Sequence, residues 1–305
     1  MLRPERAPAG AWSRAALAAA VAALAGCKQD QNFAELTIES TVVVTGDFDR
    51  LEEPLLRADV KNQLFDGYIV QPVYESSSAD AAGGQQVEAL FSSTDAEGLP
   101  ILYEYDALFL NSGARGFGAY VYNDVEPDDQ LVTDPDVLAL VKDFTERSRV
   151  LVVSDWGYDL IEANWPDRIT FLNEDEGTDA AQLGISDSVI ATITDPNLAD
   201  VLGANQVELN FDFGYWTVME SVANGVEVHM RGDVQWRSPD GGAEQRLEDV
   251  PLLVSFDAGS GRVVYSSFAW RAQHNDLADA LLATMVDGLR VQRTETRREE
   301  SGGSQ

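Results

Sequence analysis

The chain has a single cysteine, two histidines, three lysines and no apolar run longer than 11 residues. One cysteine excludes a disulfide framework, a cysteine-based metal site and, if the residue is used elsewhere, a cysteine nucleophile in the folded body. An 11-residue run is too short for a membrane span, which needs roughly 20 apolar residues. The 21 basic residues face 52 acidic ones, a formal net charge of −31. Nucleic acid is excluded as a partner, because binding it requires clustered Lys and Arg to neutralise phosphates. Anionic lipid should repel such a body as well. An acid-rich, lysine-poor surface suits salty surroundings or a GC-rich genome, and we read the charge as solubility and habitat. The acidic loops Glu174-Asp175-Glu176 and Asp128-Asp129 lack the fixed ligand spacing of an EF-hand, so no metal and no cofactor is expected.

The start of the chain holds Arg3, Arg6 and Arg14, then AALAAAVAALA (15–25), then Gly26 and Cys27. A basic start, a short apolar stretch and small residues form an export signal. Leu24-Ala25-Gly26-Cys27 resembles the lipobox of bacterial lipoproteins. That resemblance implies cleavage before Cys27, lipidation of its thiol and acylation of the new amine. It makes the membrane a partner through Cys27. Each buried CH₂ of an acyl chain contributes about 0.8 kcal/mol, so several chains anchor firmly. Lys28 stands where an Asp would resemble an inner-membrane retention signal, which favours the outer membrane. The expected layout is a signal peptide over 1–26 and an anchor with a short tether over 27–34. A single domain over 35–291 and a polar, disordered tail over 292–305 follow. Removal of the signal leaves 279 residues carrying 18 basic and 51 acidic side chains.

Within the body, apolar stretches alternate with helical spacing. TVVVTGDFD (41–49), GYIVQPV (67–73), YDALFLNSG (105–113) and RVLVVSD (149–155) read as strands. LEEPLLRADVKNQLF (51–65), a short stretch near QVEALFS, residues from Thr133 or Asp134 to about Arg147, and YDLIEANW read as helices. Alternation of this kind means parallel pairing with helices on both faces, and strands that are apolar throughout agree with it. Further on, SVIATITD (188–195), NQVELNFDFGYW (205–216), VEVHMRGDVQW (226–236) and VPLLVSFDAG (250–259) are β-rich. VSFDAGSGRVVYSSF has the signature of a hairpin turning at residues 257–261. DLADALLATMVDGL (276–289) closes the domain as an amphipathic helix. The expected fold is therefore α/β, a mostly parallel sheet with helices on both faces and a β-rich insertion at about 173–250.

The order DALFLNSG, helix, RVLVVSDWGYD, helix, then GRVVYSSFAW and a terminal helix resembles the class I glutamine amidotransferase-like (flavodoxin-like) fold. The likeness covers most of residues 40–291, and it is greatest to the non-catalytic versions found in exported bacterial proteins. The family's active members deliver a cysteine on a sharp strand-to-helix turn and a histidine on a later strand. The turn falls here at Val153-Ser154-Asp155-Trp156-Gly157, without cysteine. The later strand reads Ser267-Phe268-Ala269-Trp270-Arg271, without histidine. The resemblance thus implies a pseudoenzyme with no catalytic residues. Gly113-Ala114-Arg115-Gly116-Phe117-Gly118 lacks the helix and acid of a phosphate-binding turn and reads as a mobile loop. His229 in VEVHMRG reads as a half-buried strand residue. Arg231-Gly232-Asp233 reads as a chance tripeptide.

In open parallel sheets ligands lie beyond the carboxyl ends of the strands. That places Asp47, Asn111, Ser112, Gly113, Ser154, Asp155 and Trp156 around one candidate crevice. The expected role is binding or scaffolding in the cell envelope, toward an envelope protein or a small molecule. The alternative is a hydrolase using Ser154 with His274 as base, or an enzyme with a metal held by Asp47 and Asp155. Against the first stands capping, since Ser and Asp at a helix start satisfy backbone amides. Replacement Cys27→Ser should move the protein from the membrane to the soluble fraction and abolish incorporation of an acyl label. Retention in membranes with no acyl label on the wild type would remove the lipoprotein reading.

Overall fold

A computed structural model describes residues 40–69, 85–118, 130–173, 181–185, 187–238 and 242–284, and all structural statements refer to these. The signal peptide, the tether with Cys27, the acidic loops at 128–129 and 174–176, most of GYIVQPV and the tail at 292–305 lie outside them. In chain order the strands are β1 (Thr41–Val44), β2 (Asn62–Phe65), β3 (Ala107–Leu110), β4 (Val150–Ser154), β5 (Ile169–Phe171), β6 (Gln182–Gly184) and β7 (Asp187–Ile193). They continue with β8 (Gln206–Phe211), β9 (Trp216–Thr217), β10 (Met219–Val222), β11 (Val226–Arg237), β12 (Glu244–Ala258) and β13 (Gly261–Ser266). The helices are α1 (Glu52–Arg57), α2 (Val87–Ser92), α3 (Pro135–Glu146), α4 (Tyr158–Asn164), α5 (Pro196–Leu202) and α6, described over residues 275–284.

The fold is α/β. Eleven strands form one mixed sheet, ordered β2-β1-β3-β4-β13-β12-β11-β6-β9, with β7 on β11 and β8 on β7. The first five strands of that order run parallel. From β13 onward every pairing is antiparallel. β5 and β10 form a separate two-stranded sheet. The β-rich stretch thus extends the parallel sheet on its β13 side. The hairpin read from the sequence joins β12 to β13, with Ala258 opposite Gly261.

The apolar strands are buried on both faces because their side chains alternate between two cores. Val43, Val150, Val152 and Val264 pack with Leu51, which precedes α1, Leu55 of α1 and Leu277 and Leu281 of α6. Val42, Val44, Leu151 and Val153 pack against Leu90 of α2, Val141 and Phe144 of α3 and Ile161 of α4. α3 starts as its sequence suggests: Pro135 occupies the first turn and the Asp134 carboxylate accepts from the Asp136 amide at 2.8 Å.

Two local readings change. Residues 51–65 do not make one helix. α1 ends at Arg57, Asp59 turns the chain at φ 57°, and Asn62–Phe65 becomes β2, with Leu64 opposite Val43. The spacing of Leu55, Leu56 and Leu64 fits a helix, but adjacent Leu64 and Phe65 are each buried in a different core, which an extended strand achieves. The loop at 113–118 is also built into the body, since Ala114 and Phe117 are buried. Gly113 sits at φ 77°, and a Cβ there would lie 2.4 Å from Phe48 Cδ2. Gly98 sits at φ 83° with nothing within 4 Å. Both Ala variants carry the backbone penalty of about 1–2 kcal/mol for a left-handed residue. Only Gly113→Ala adds the clash, so it should lower the thermal midpoint several degrees more than Gly98→Ala. Equal losses would show that Phe48 moves aside freely.

Candidate functional site

Parallel pairing brings the carboxyl ends of the core strands to one edge. Val44 stands opposite Leu110, Leu110 opposite Val153, and Ser154 opposite Ser266. The residues that follow these strand ends are polar and form one hydrogen-bonded group. Asn111 Oδ1 accepts from the Leu51 amide at 2.9 Å, and its Nδ2 donates to Glu52 Oε2 at 2.8 Å. The Ser112 amide donates to Ser154 Oγ at 3.0 Å. Ser112 Oγ donates to Asp155 Oδ2 at 3.3 Å and accepts from the Trp156 amide at 3.3 Å. Asp155 Oδ1 accepts from the Thr217 amide at 2.8 Å, and the Tyr265 hydroxyl donates to the Asp155 carbonyl at 2.8 Å.

Asp155 holds the turn between β4 and α4 at φ 42°, a conformation rare for any residue but glycine and best tolerated by Asn and Asp. Aromatic rings close the group from outside. Phe48 meets Trp156 edge-on at 4.8 Å and Phe213 at 4.5 Å, and Trp156 Nε1 donates to the Tyr215 carbonyl at 2.9 Å. Arg271 Nε donates to the Phe48 carbonyl at 2.7 Å, and its amide donates to Asp49 Oδ1 at 3.0 Å.

Of the residues named from the sequence, the structure brings Asn111, Ser112, Ser154, Asp155 and Trp156 together, and all are buried. Gly113 supplies the turn beside them, its carbonyl accepting from the Asp47 amide at 3.2 Å. Asp47 itself is half-buried, and its Oδ2 accepts from the Ile69 amide at 3.3 Å. The acids that complete the group are Asp49 and Glu52, both wholly buried. Sequence reasoning chose Asp47 because it directly follows β1. No periodic signal marks Asp49, which is buried because the chain bends under Arg271. Thr217 and Tyr265 reach the site through tertiary pairing, and a single strand pattern does not reveal that.

Burial dominates the titration of these acids. Desolvation raises Asp155 to about 8, aided by the nearby charge of Asp49 and opposed by the Thr217 amide and Ser112. Desolvation likewise raises Glu52 to about 7, opposed by its own amide and by Asn111. Asp49 is also raised by burial, against the lowering effects of Ser154 and the amides around it. At neutral pH Asp155 therefore carries a proton. Among the described residues no group of three or more His, Cys, Asp or Glu side chains is placed to hold a metal ion. Ser154 is fully buried, while the His274 side chain is 81 % exposed and paired with Asp276. The Ser154–His274 pair is not assembled.

The fold and this strand-end group define an α/β protein with a packed, protonated turn where such sheets hold their ligands. No protein-family model matches the sequence, and no curated protein matches it significantly. Similar solved structures include PurLQS from Thermotoga maritima, 9 % identical, with 82 % of this chain aligned to 98 % of that one at a TM-score of 0.44. A glutamine amidotransferase from Thermotoga maritima is 8 % identical over 88 % of this chain and 87 % of its own, at 0.40. A cytoplasmic protein from Salmonella typhimurium is 13 % identical over 81 % of this chain and 98 % of its own, at 0.43. Likeness at this level carries no reaction or ligand over to this chain.

The raised carboxyls give a signed pH dependence. For Asp155 the folded state binds the proton more tightly than the unfolded state. Its stabilising contribution is complete below about 3.8 and is lost as the pH rises through about 8; for Glu52 the window runs from 4.5 through about 7. The melting temperature should fall across this range. Asn mimics the protonated acid and tolerates positive φ, so Asp155→Asn should fold and melt with a flatter profile between about pH 6 and 8. A variant profile parallel to the wild type would place the proton elsewhere.

Proposed function

We propose that this chain is a lipid-anchored protein of the cell envelope whose amidotransferase-like domain binds or scaffolds and performs no amidotransferase chemistry at its strand ends. The observation that carries this reading is the state of the turn after β4. The residue there is Asp155, 3 % exposed and hydrogen-bonded to Thr217 and Ser112, and burial raises its pKa. A nucleophile at such a turn must be ionisable and open to its substrate. This carboxyl is used to hold the turn and to join β9 to β4. Ser154 beside it is satisfied by the Ser112 amide, which supports a structural role rather than that of an attacking hydroxyl. The region offers a partner its rim, where Tyr215 stands 64 % exposed next to Trp156.

The lipid anchor rests on the sequence alone, on Leu24-Ala25-Gly26-Cys27 behind its apolar run. Among the described residues no helix is long and apolar enough to cross a membrane. A location in the outer membrane follows from Lys28 only as part of the same proposal.

The test uses the detergent-extracted full chain with glutamine as substrate. Ammonia release should not exceed the buffer blank over the range of about pH 6 to 9. Release that disappears in both Ser154→Ala and Asp155→Asn would overturn the reading and make the strand ends an active site.

A further inference from the structure

A second polar group lies on the antiparallel part of the sheet. Ser255 is in β12, Glu227 and His229 are in β11, Arg262 is in β13, and Asp195 lies just beyond β7. The β11–β12 register shifts between Val228 and Met230, so His229 is the extra residue of a bulge. Bulges re-aim a side chain out of the regular alternation. The bulge is pinned, because the His229 carbonyl accepts from the Thr194 amide at 2.9 Å.

The result is a chain of side chains at close range. Ser255 Oγ lies 2.6 Å from His229 Nε2, and His229 Nδ1 lies 2.7 Å from Asp195 Oδ2. The other oxygen of Asp195 accepts from the amides of Asn197 and Leu198 at the start of α5, at 2.8 and 3.4 Å, which fixes the carboxylate. Arg262 Nη2 donates to Ser255 Oγ at 2.5 Å. A guanidinium can only donate, so the hydroxyl directs its own proton to a nearby acceptor. Nε2 of His229 is much closer than Glu227 Oε2, which is 3.5 Å away. Burial lowers the His229 pKa, so the ring is a neutral base with Nδ1–H directed at Asp195. Nucleophile, base and orienting carboxylate thus stand in the order that activates a serine.

Ser255 is itself buried, but what covers it on one side is a surface ion pair. Arg262 is bonded to Glu227, and their side chains are 23 % and 65 % exposed. Ion pairs at this level of exposure hold weakly against water. Release of Glu227 would uncover the hydroxyl and free a guanidinium directly beside it.

We propose that Ser255, His229 and Asp195 form a nucleophilic site for acyl esters bearing a carboxylate near the scissile bond, with Glu227 occupying on Arg262 the place of that carboxylate. Ser255 Oγ attacks the acyl carbon as its proton passes to His229 Nε2. The ester C–O bond then breaks, and the leaving alcohol takes the proton from His229. Water, deprotonated by the same ring, hydrolyses the acyl-serine and returns the proton to Ser255. Arg262 holds the substrate's carboxylate in the place of Glu227, and Asp195 is a positioning residue. The site is separate from the strand-end group and does not depend on how that region functions.

The test treats the full chain with a fluorophosphonate probe and maps the adduct by mass spectrometry. The expected adduct is on Ser255. His229→Gln should slow labelling about a hundredfold or more, the range of a lost general base. Glu227→Gln, an exposed change, should speed it. Asp195→Asn still caps α5, but should slow labelling and shift the pH of half-maximal rate. No adduct on Ser255 in the folded protein, or equal labelling of wild type and His229→Gln, would overturn the proposal and leave the trio as a buried seam between strands.

Discussion

Strands β1, β3, β4 and β13 have no wet face. Their side chains point alternately into two cores closed by helices, so every polar atom these segments carry must emerge at a strand end. That single restriction explains the composition of the strands, the position of the polar group and its chemistry. Acids delivered to a strand end in such a sheet meet little water. Burial raises the pKa of Asp49, Glu52 and Asp155 alike, against the hydrogen bonds that favour their charged forms. Arg271 gives its guanidinium to the Phe48 carbonyl and to Asp212.

The parallel half of the sheet was legible because its signals are local. Runs such as VLVVS bounded by polar residues, and Asp134-Pro135 ahead of an amphipathic stretch, specify strand and helix without outside help. Where the reading failed, a tertiary partner decided. LEEPLLRADVKNQLF has helical spacing throughout, yet β1 recruits its second half as β2. The candidate site was half legible for the same reason. Asn111, Ser112, Ser154 and Asp155 follow recognisable strands, so they could be named. Asp49 lies on a bend, Glu52 opens α1, and Thr217 and Tyr265 arrive from strands far along the chain, so they could not.

The antiparallel half follows different rules. β11 alternates buried and exposed residues over its later part, whereas β12 is exposed at its start and buried from Val250 to Phe256, and their mutual register shifts between Val228 and Arg231 and again between Gly232 and Val234. His229 lies in a strand, as its sequence context suggests, and is buried. The bulge breaks that alternation and turns the ring toward Asp195 and Ser255. One irregular residue pair therefore decides which polar side chains meet on this part of the sheet.

The strand order also sets when the fold can exist. β13, the last strand in sequence, lies between β4 and β12 and is the bridge between the parallel and antiparallel halves. Until residues 261–266 are available, β4 has an unpaired edge and β12 lacks its inner neighbour. Pairings as distant as β1 with β3 and β4 with β13 also make closure slow, because long loops must be ordered before contacts offset the entropy. The sheet is thus completed by its central strand, and its two halves stay unjoined until residues 261–266 are in place.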